Sequence, residues 1–290
     1  MKLSSEYLTR PPREISFILK IQILFGGFMN QFGWFFFGFR MIFFWVFVMN
    51  ADLTSWYKFS SSAEIAKGSV VYCNETGMEE NESDVYEIAY KFTGPDGNIY
   101  EDRSYSTGRS YNEGKTVTIE YPPGNPSISR IKGLRREAFG PMVLFVVIFP
   151  FLGICFVIGG IRKGIKANLL LEKGLLAHGN LISKKATNTR ISEQMVYKFT
   201  FEFDAEDGRK YQVETKTHLT EILEDDDEEK LLYYSENPSF AVMLDDLPGS
   251  PKIDSRGNFI TSSGSALVVL IMPGLSVAGH GLYFLFRYLM

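Results

Sequence analysis

The chain is poor in the residues on which most enzymatic chemistry depends: 2 cysteines and 3 histidines in 290 residues. Cys155 lies in an apolar stretch and Cys73 in a polar region, so no internal disulfide is expected. No Cys-x-x-Cys or Cys/His spacing points to a metal. His178, His218 and His280 have no neighbouring Ser, Cys or Asp in a triad-like pattern, and neither Gly-x-Ser-x-Gly nor His-Glu-x-x-His occurs. A glycine-rich phosphate loop is missing too. Nor is there a cationic excess. Lys and Arg number 30 against 34 Asp and Glu, a net charge of −4, whereas nucleic-acid binding needs a clustered basic surface. Catalytic, cofactor and metal sites are therefore expected to be absent, and the chain reads as non-enzymatic.

Charge is also missing locally. Residues 15–49 hold only Lys20 and Arg40, residues 140–161 hold none, and residues 264–287 hold only Arg287 beside His280. A bilayer core takes about 20 apolar residues as a helix, so these read as three transmembrane helices. The first is predicted as one long helix with an interfacial start and its span at 28–49. Its apolar region exceeds the ~7–15 residues of a signal-peptide core, which makes it a retained anchor. Pro150 and Gly153 are expected to kink the second, since proline removes a helical hydrogen bond, and Pro273-Gly274 to interrupt the third. Residues 1–14, with Pro11-Pro12, read as a short frayed polar tail.

Between the spans the chain repeats itself. Ala66-Lys67-Gly68 answers to Ala177-His178-Gly179, Phe92 to Phe203, Asp96-Gly97 to Asp207-Gly208 and Tyr100 to Tyr211, all at an offset of 111. Tyr121 answers to Tyr233 and Asn125-Pro126-Ser127 to Asn237-Pro238-Ser239 at 112. A constant offset with a single slip reads as a tandem duplication, and the spans at 28–49 and 140–161 share the 112 offset.

Each repeat reads as β structure. In the first module, 60–133, the predicted strands are 69–73, 85–92, 99–105, 116–121 and 127–131. Pro95-Asp96-Gly97-Asn98 makes the hairpin turn, and Val117, Ile119 and Tyr121 alternate with polar residues as in a half-buried strand. The second module, 172–247, places strands at 197–204, 210–217 and 231–235, the last leading into Asn237-Pro238. The fold class is thus α-helical spans plus two small all-β modules, each a five-stranded barrel or sandwich. Asp96 and Asp207 resemble catalytic carboxylates, but each precedes glycine in a turn, which accounts for it. The run Glu221, Glu224, Asp225, Asp226, Asp227, Glu228 and Glu229 lacks EF-hand spacing and reads as a solvated loop.

Four residues, Arg40, Trp34, Trp45 and His280, are candidate intramembrane contacts. In the frame 28–49 Arg40 lies near mid-membrane, where an ionisable residue marks function because its charge is expensive to bury. None of the three spans carries an acid, though Asn30 and Gln31 stand as possible acceptors. In the frame 21–39 Arg40 instead snorkels at the interface, and the residues alone leave both frames open. Trp34, Trp45 and Trp56 are evenly spaced at about three helical turns, which brings them close to one helix face. That face fits either a partner helix or bound lipid, or plain lipid-facing bulk with interfacial tryptophans. Gly26, Gly27, Gly33 and Gly38 would admit a close helix neighbour. His280, flanked by glycines, is expected to be packed or hydrogen-bonded.

Three single spans put the two modules on opposite sides of the membrane, and basic residues near the span ends slightly favour a cytoplasmic N-terminus. A re-entrant middle stretch would put both modules on one side.

The repeated unit resembles a family of uncharacterised bacterial membrane proteins known as a domain of unknown function. The likeness lies in the early glycine (Gly68, Gly179), the Asp-Gly hairpin with its later tyrosine, the Tyr…Asn-Pro-Ser close and the strand 113–121. The second copy departs at Glu228-Glu229-Lys230, where the glycine is missing. The resemblance implies a span–β unit–span build in a bacterial cell membrane and assigns no activity. The expected function is binding of a partner protein or envelope component by the β modules; the alternative is an accessory or regulatory subunit of a membrane transport or signalling complex. Expected partners are membrane lipids and another membrane protein or a second copy, not nucleic acid.

Overall fold

A computed structural model describes residues 8–59, 62–191, 193–218, 220 and 228–289. The chain divides into two compact units, residues 39–150 and residues 1–38 with 151–290. The α-helices described are α1 (Phe17–Phe25), α2 (Phe28–Phe47), α3 (Ser55–Lys58), α4 (Ile148–Lys173) and α5 (Ser263–Leu289). Among the described residues, three helical stretches are long and apolar enough to cross a membrane: Phe28–Asn50, Pro141–Lys173 and Gly264–Leu289.

In the larger unit the first apolar region is two helices rather than the single long one expected. Ser16 caps α1 by accepting from Leu19 N, and the helix stops at Gly26. The cause is tertiary. Gln22 Nε2 donates to Gly249 O at 2.5 Å, and a Cβ on Gly26 would stand 2.7 Å from Gly249 Cα. After the break α2 packs against α4 and α5. A Cβ at Gly33 would lie 2.6 Å from Val157 N, one at Gly153 2.7 Å from Phe37 N, and one at Gly160 2.6 Å from Asn30 Cβ. As numbers rise along α2 they fall along α4, so the two are antiparallel. Against α5, Gln31 Nε2 donates to Val269 O at 2.7 Å and Ser276 Oγ to Trp34 O at 3.0 Å. Small residues let helix backbones approach closely. Gly33 and Gly38 do this, as expected, while Gly26 and Gly27 meet the loop at Pro248-Gly249 instead.

Helix α4 corrects the expected span in length. It runs well past Ile161, to Lys173, because its last turns are held by protein: Ala167, Leu170 and Leu171 are buried with Leu19, Ile23, Leu232, Leu247 and Phe259. A 3-10 helix, Pro141–Val147, precedes it. Pro150 therefore falls in the first turn of α4, where no intrahelical N–H is needed. Pro273 lies inside α5, which continues through it. The tail is not frayed over its described part. Thr9 N bonds Gly257 O, Arg13 N bonds Glu172 O, and the buried Arg13 Nη1 donates to Leu171 O and Gly174 O, closing the end of α4.

The first module comprises β1 (Glu64–Glu80), β2 (Ser83–Thr93), β3 (Ile99–Thr107), β4 (Thr116–Tyr121) and β5 (Arg130–Ile131), antiparallel in the order β3-β2-β1-β4-β5. Val70, Ile88, Tyr90, Phe92, Val117, Ile119, Tyr121 and Ile131 fill it. Its ends nearly close into a barrel: Tyr105 and Arg135 exchange backbone bonds of 2.8 and 3.2 Å, and Ile131 N donates to Ser104 Oγ. The first strand is far longer than the predicted 69–73. Its start pairs with β4 and its remainder with β2, with an irregularity between Val70 and Tyr72. Only the part over the core is apolar. The last strand is much shorter than expected because Asn125-Pro126-Ser127 forms a turn, Ile128 N bonding Asn125 O.

The second module comprises β6 (Leu175–Ile191), β7 (Gln194–Asp204), β8 (Lys210–Thr217), β9 (Glu229–Tyr234) and β10 (Asn237–Met243), in the order β10-β9-β6-β7-β8. Read strand for strand, this is the order of the first sheet. The irregularities of β6, at Leu181/Ser183 and Ala186/Arg190, match those of β1, at Val70/Tyr72 and Glu75/Glu79, at the same offset as the sequence repeat. Gly68 and Gly179 face Phe92 and Phe203 respectively. The modules differ at their close. Asn237-Pro238-Ser239 is not a turn but lies in β10, and the turn falls at Ser235-Glu236. A small hairpin, β11 (Lys252–Ile253) and β12 (Phe259–Ile260), follows.

Candidate functional site

In the unit 39–150 the C-terminal half of α2 and the 3-10 turn before α4 enclose an apolar crevice of about 370 Å³, lined by Arg40, Phe43, Phe47, Val143, Phe145, Val146 and Phe149. Helical periodicity puts Arg40, Phe43 and Phe47 on one face. The opposite wall carries Val143 and Val146, at the three-residue spacing at which side chains of a 3-10 turn eclipse, and Phe149 from the first turn of α4. The Arg40 guanidinium carbon lies 4.9 Å from the centre of the Phe149 ring and 5.6 Å from those of Phe39 and Phe43. Faces of aromatic rings attract a cation, by roughly 2 kcal/mol or more once water is removed.

Asn30 and Gln31 do not serve Arg40. Asn30 is fully buried against α4, its Nδ2 3.5 Å from Val157 O. Gln31 donates to Phe25 O and Val269 O, both at 2.7 Å. The break at Gly26 interrupts the stretch 21–39, so no single helix runs across it.

Trp34 and His280 meet instead in the seam between α2 and α5. His280 Nε2 lies 3.0 Å from Gly38 O, to which it donates, and its ring stands edge-on to Phe37, which also packs edge-on to Trp34. Trp34 Nε1 is buried with no hydrogen-bond partner among the described residues. Trp45 packs edge-on to Phe44 and does not line the crevice. Trp56 sits in the short α3, 78% exposed, and so is no part of an α2 face.

The carboxylates are taken up by structure. Tyr100 and Tyr211 donate at 2.8 Å to Asp96 and Asp207, the same device in both hairpins, and these bonds hold both acids below the ordinary aspartate range. In the unit of residues 39–150 Asp52 is buried. Burial pushes its pKa up, but bonds from Ser55 N and Arg136 N outweigh this and hold it low. Asp102 pairs with Arg136 at 3.2 Å, Glu120 with Arg130 at 2.6 Å and Glu80 with Arg135. Tyr72 and Tyr105 both donate to Glu87 at 2.8 Å. Among the described residues no group of three or more His, Cys, Asp and Glu is placed to hold a metal.

No family model matches the chain. A search of curated proteins finds no similar sequence either. Of the acidic run, Glu221, Glu224, Asp225, Asp226 and Asp227 lie outside the described residues. Glu229 is not solvated: it is buried in β9, paired with Gly179.

Sequence reasoning picked out Arg40 and missed its other wall. The signal was present in the spacing of Val143, Val146 and Phe149, but a stretch of unbroken apolar residues gives no reason to single out any of them.

Proposed function

We propose that this chain is a non-enzymatic integral membrane protein, held by three helices, whose two β modules bind a partner protein or envelope component. One observation carries the membrane reading. The sides of α2, α4 and α5 turned away from their mutual contacts are apolar and exposed, with Phe35, Ile42, Val46, Phe151, Leu267, Leu275 and Leu285 among them. Water would not tolerate a continuous apolar surface of this extent, whereas bilayer hydrocarbon would. The equal strand order and shared irregularities of the modules support descent from one duplicated unit, and that unit's span–β unit–span build is the one of the bacterial membrane family the sequence resembles. A bacterial cell membrane is the compartment this implies.

A second reading has its own support: an accessory or regulatory subunit of a membrane transport or signalling complex. If α2 spans, Arg40 lies about 18 Å along the helix from Phe28 and about 15 Å from Asn50, close to mid-membrane. Centring an arginine there costs about 3 kcal/mol on insertion scales, which the rings around it largely offset.

Crosslinking in native membranes, mild-detergent purification and mass spectrometry separate the two readings. A stoichiometric membrane partner supports the subunit. Soluble or envelope proteins crosslinked through the β modules support the first reading, and recovery of the chain alone counts against both.

A further inference from the structure

The Arg40 crevice has the make-up of a binding site for an anionic amphiphile. It is bounded by Arg40, Phe43 and Phe47 of α2 on one side and by Val143, Phe145, Val146 and Phe149 on the other. A partner helix needs a broad face; a crevice of about 370 Å³ between two elements suits an acyl chain. Its lining contains one cation and no acid. Arginine is charged at every relevant pH and presents a planar fork that matches phosphate. Its guanidinium is stationed over Phe149, Phe39 and Phe43 rather than free to sweep. A buried arginine also draws headgroups and water toward itself by thinning the bilayer locally.

We propose that this crevice selects an anionic phospholipid from the surrounding bilayer, the phosphate meeting Arg40 and an acyl chain lying against Phe43, Phe47 and Val146. The proposal rests on the membrane reading given above. It assigns the aromatic crowding of α2 to lipid selection rather than to bulk.

The test uses the full chain with Trp34, Trp45 and Trp56 replaced by Phe and one reporter, Phe145→Trp, on the crevice wall. It is reconstituted in vesicles of phosphatidylcholine containing a minor fraction of brominated phosphatidylglycerol or, separately, of brominated phosphatidylcholine. Bromine quenches tryptophan only at contact range, so quenching reads local lipid composition. The expected result is about fivefold enrichment of the anionic lipid at the reporter over its bulk fraction, the factor one cation supplies near a membrane, falling to parity in Arg40→Gln. Equal quenching by both lipids in the Arg40 protein overturns the proposal, as does enrichment that survives Arg40→Gln. Quenching by neither lipid overturns the membrane reading itself. Should Arg40→Gln not fold, the Arg40 protein decides alone, through enrichment or parity as the brominated anionic fraction is varied.

Discussion

Gly160 faces Asn30 so closely that a Cβ on the glycine would stand 2.6 Å from the Cβ of the asparagine. The contact joins two apolar helices at a point where one of them buries an amide completely. Nothing flexible lies in the way: Asn30 Cα and N are both 2.7 Å from the same position. Gly160→Leu is therefore expected to separate α2 from α4 and to destabilise the protein by roughly 1–3 kcal/mol, the usual cost of overpacking. Gly274→Ala, whose added methyl meets nothing within 4 Å, serves as the control. Thermal unfolding in one detergent, followed by tryptophan fluorescence, measures both.

Arg13 ties the N-terminal segment to the end of α4. It is 7% exposed and donates to Leu171 O at 3.0 Å and Gly174 O at 2.9 Å. Burial lowers its pKa to about 10, still leaving it charged at neutral pH. Arg13→Met keeps the bulk and strands two buried carbonyls, a loss of about 2–3 kcal/mol. Limited proteolysis should then cleave within residues 8–16 well before any other site is lost, whereas Arg10→Met, at an exposed position, should leave the digestion pattern unchanged.

Acid should unfold the unit of residues 39–150, which holds the first module, before the larger unit. Asp52, Glu80 and Glu87 are each pushed up by burial and pulled further down by hydrogen bonds, from Ser55 and Arg136, from Arg135 and Thr107, and from Tyr72 and Tyr105 respectively. Their folded pKa values are depressed, so below the ordinary carboxylate range of about 4 the unfolded chain binds more protons than the folded one. The stabilisation is complete above that range and disappears as pH falls through the folded values. The depressed acids found in the larger unit, Asp207 and Asp254, are exposed. Near-ultraviolet dichroism and hydrogen exchange from acid to neutral pH should lose the Tyr72 and Tyr105 environment first, and Asp52→Asn should shift that loss to higher pH.

The count of helices long enough to cross predicts that one crossing separates the modules. Cys73 belongs to the first module and the exposed Asn188 to the second. With Cys155 replaced by Ala, an impermeant thiol reagent on intact cells should label either Cys73 or a cysteine at Asn188→Cys, not both. Labelling of both from one side contradicts the crossing.

The devices that repeat were the legible part of the sequence. Asp-Gly followed closely by a tyrosine announces a hairpin, and the tyrosine's bond back to the aspartate occurs in both copies. The apolar helices were legible in their charge-free cores and misread at their ends. The helix containing Leu170 and Leu171 extends past Arg162 because Leu19, Ile23 and Phe259 cover it, a fact no local window contains. The break at Gly26 depends on Gly249, near the other end of the chain. Asn125-Pro126-Ser127 and Asn237-Pro238-Ser239 share residues and not conformation, since in the second copy Asn237 pairs with Tyr234 across the sheet. Arg40 declared itself by charge alone, but the Phe149 ring that helps to position it had no such mark.

Whether α2, α4 and α5 lie in a bilayer is tested most directly by extracting native membranes with alkaline carbonate, then with mild detergent, and following the chain by immunoblot. The protein should stay in the pellet through carbonate and enter the supernatant only with detergent, because helices with apolar outer faces leave hydrocarbon only for a micelle. Release by carbonate alone, as a folded soluble species, would contradict the account.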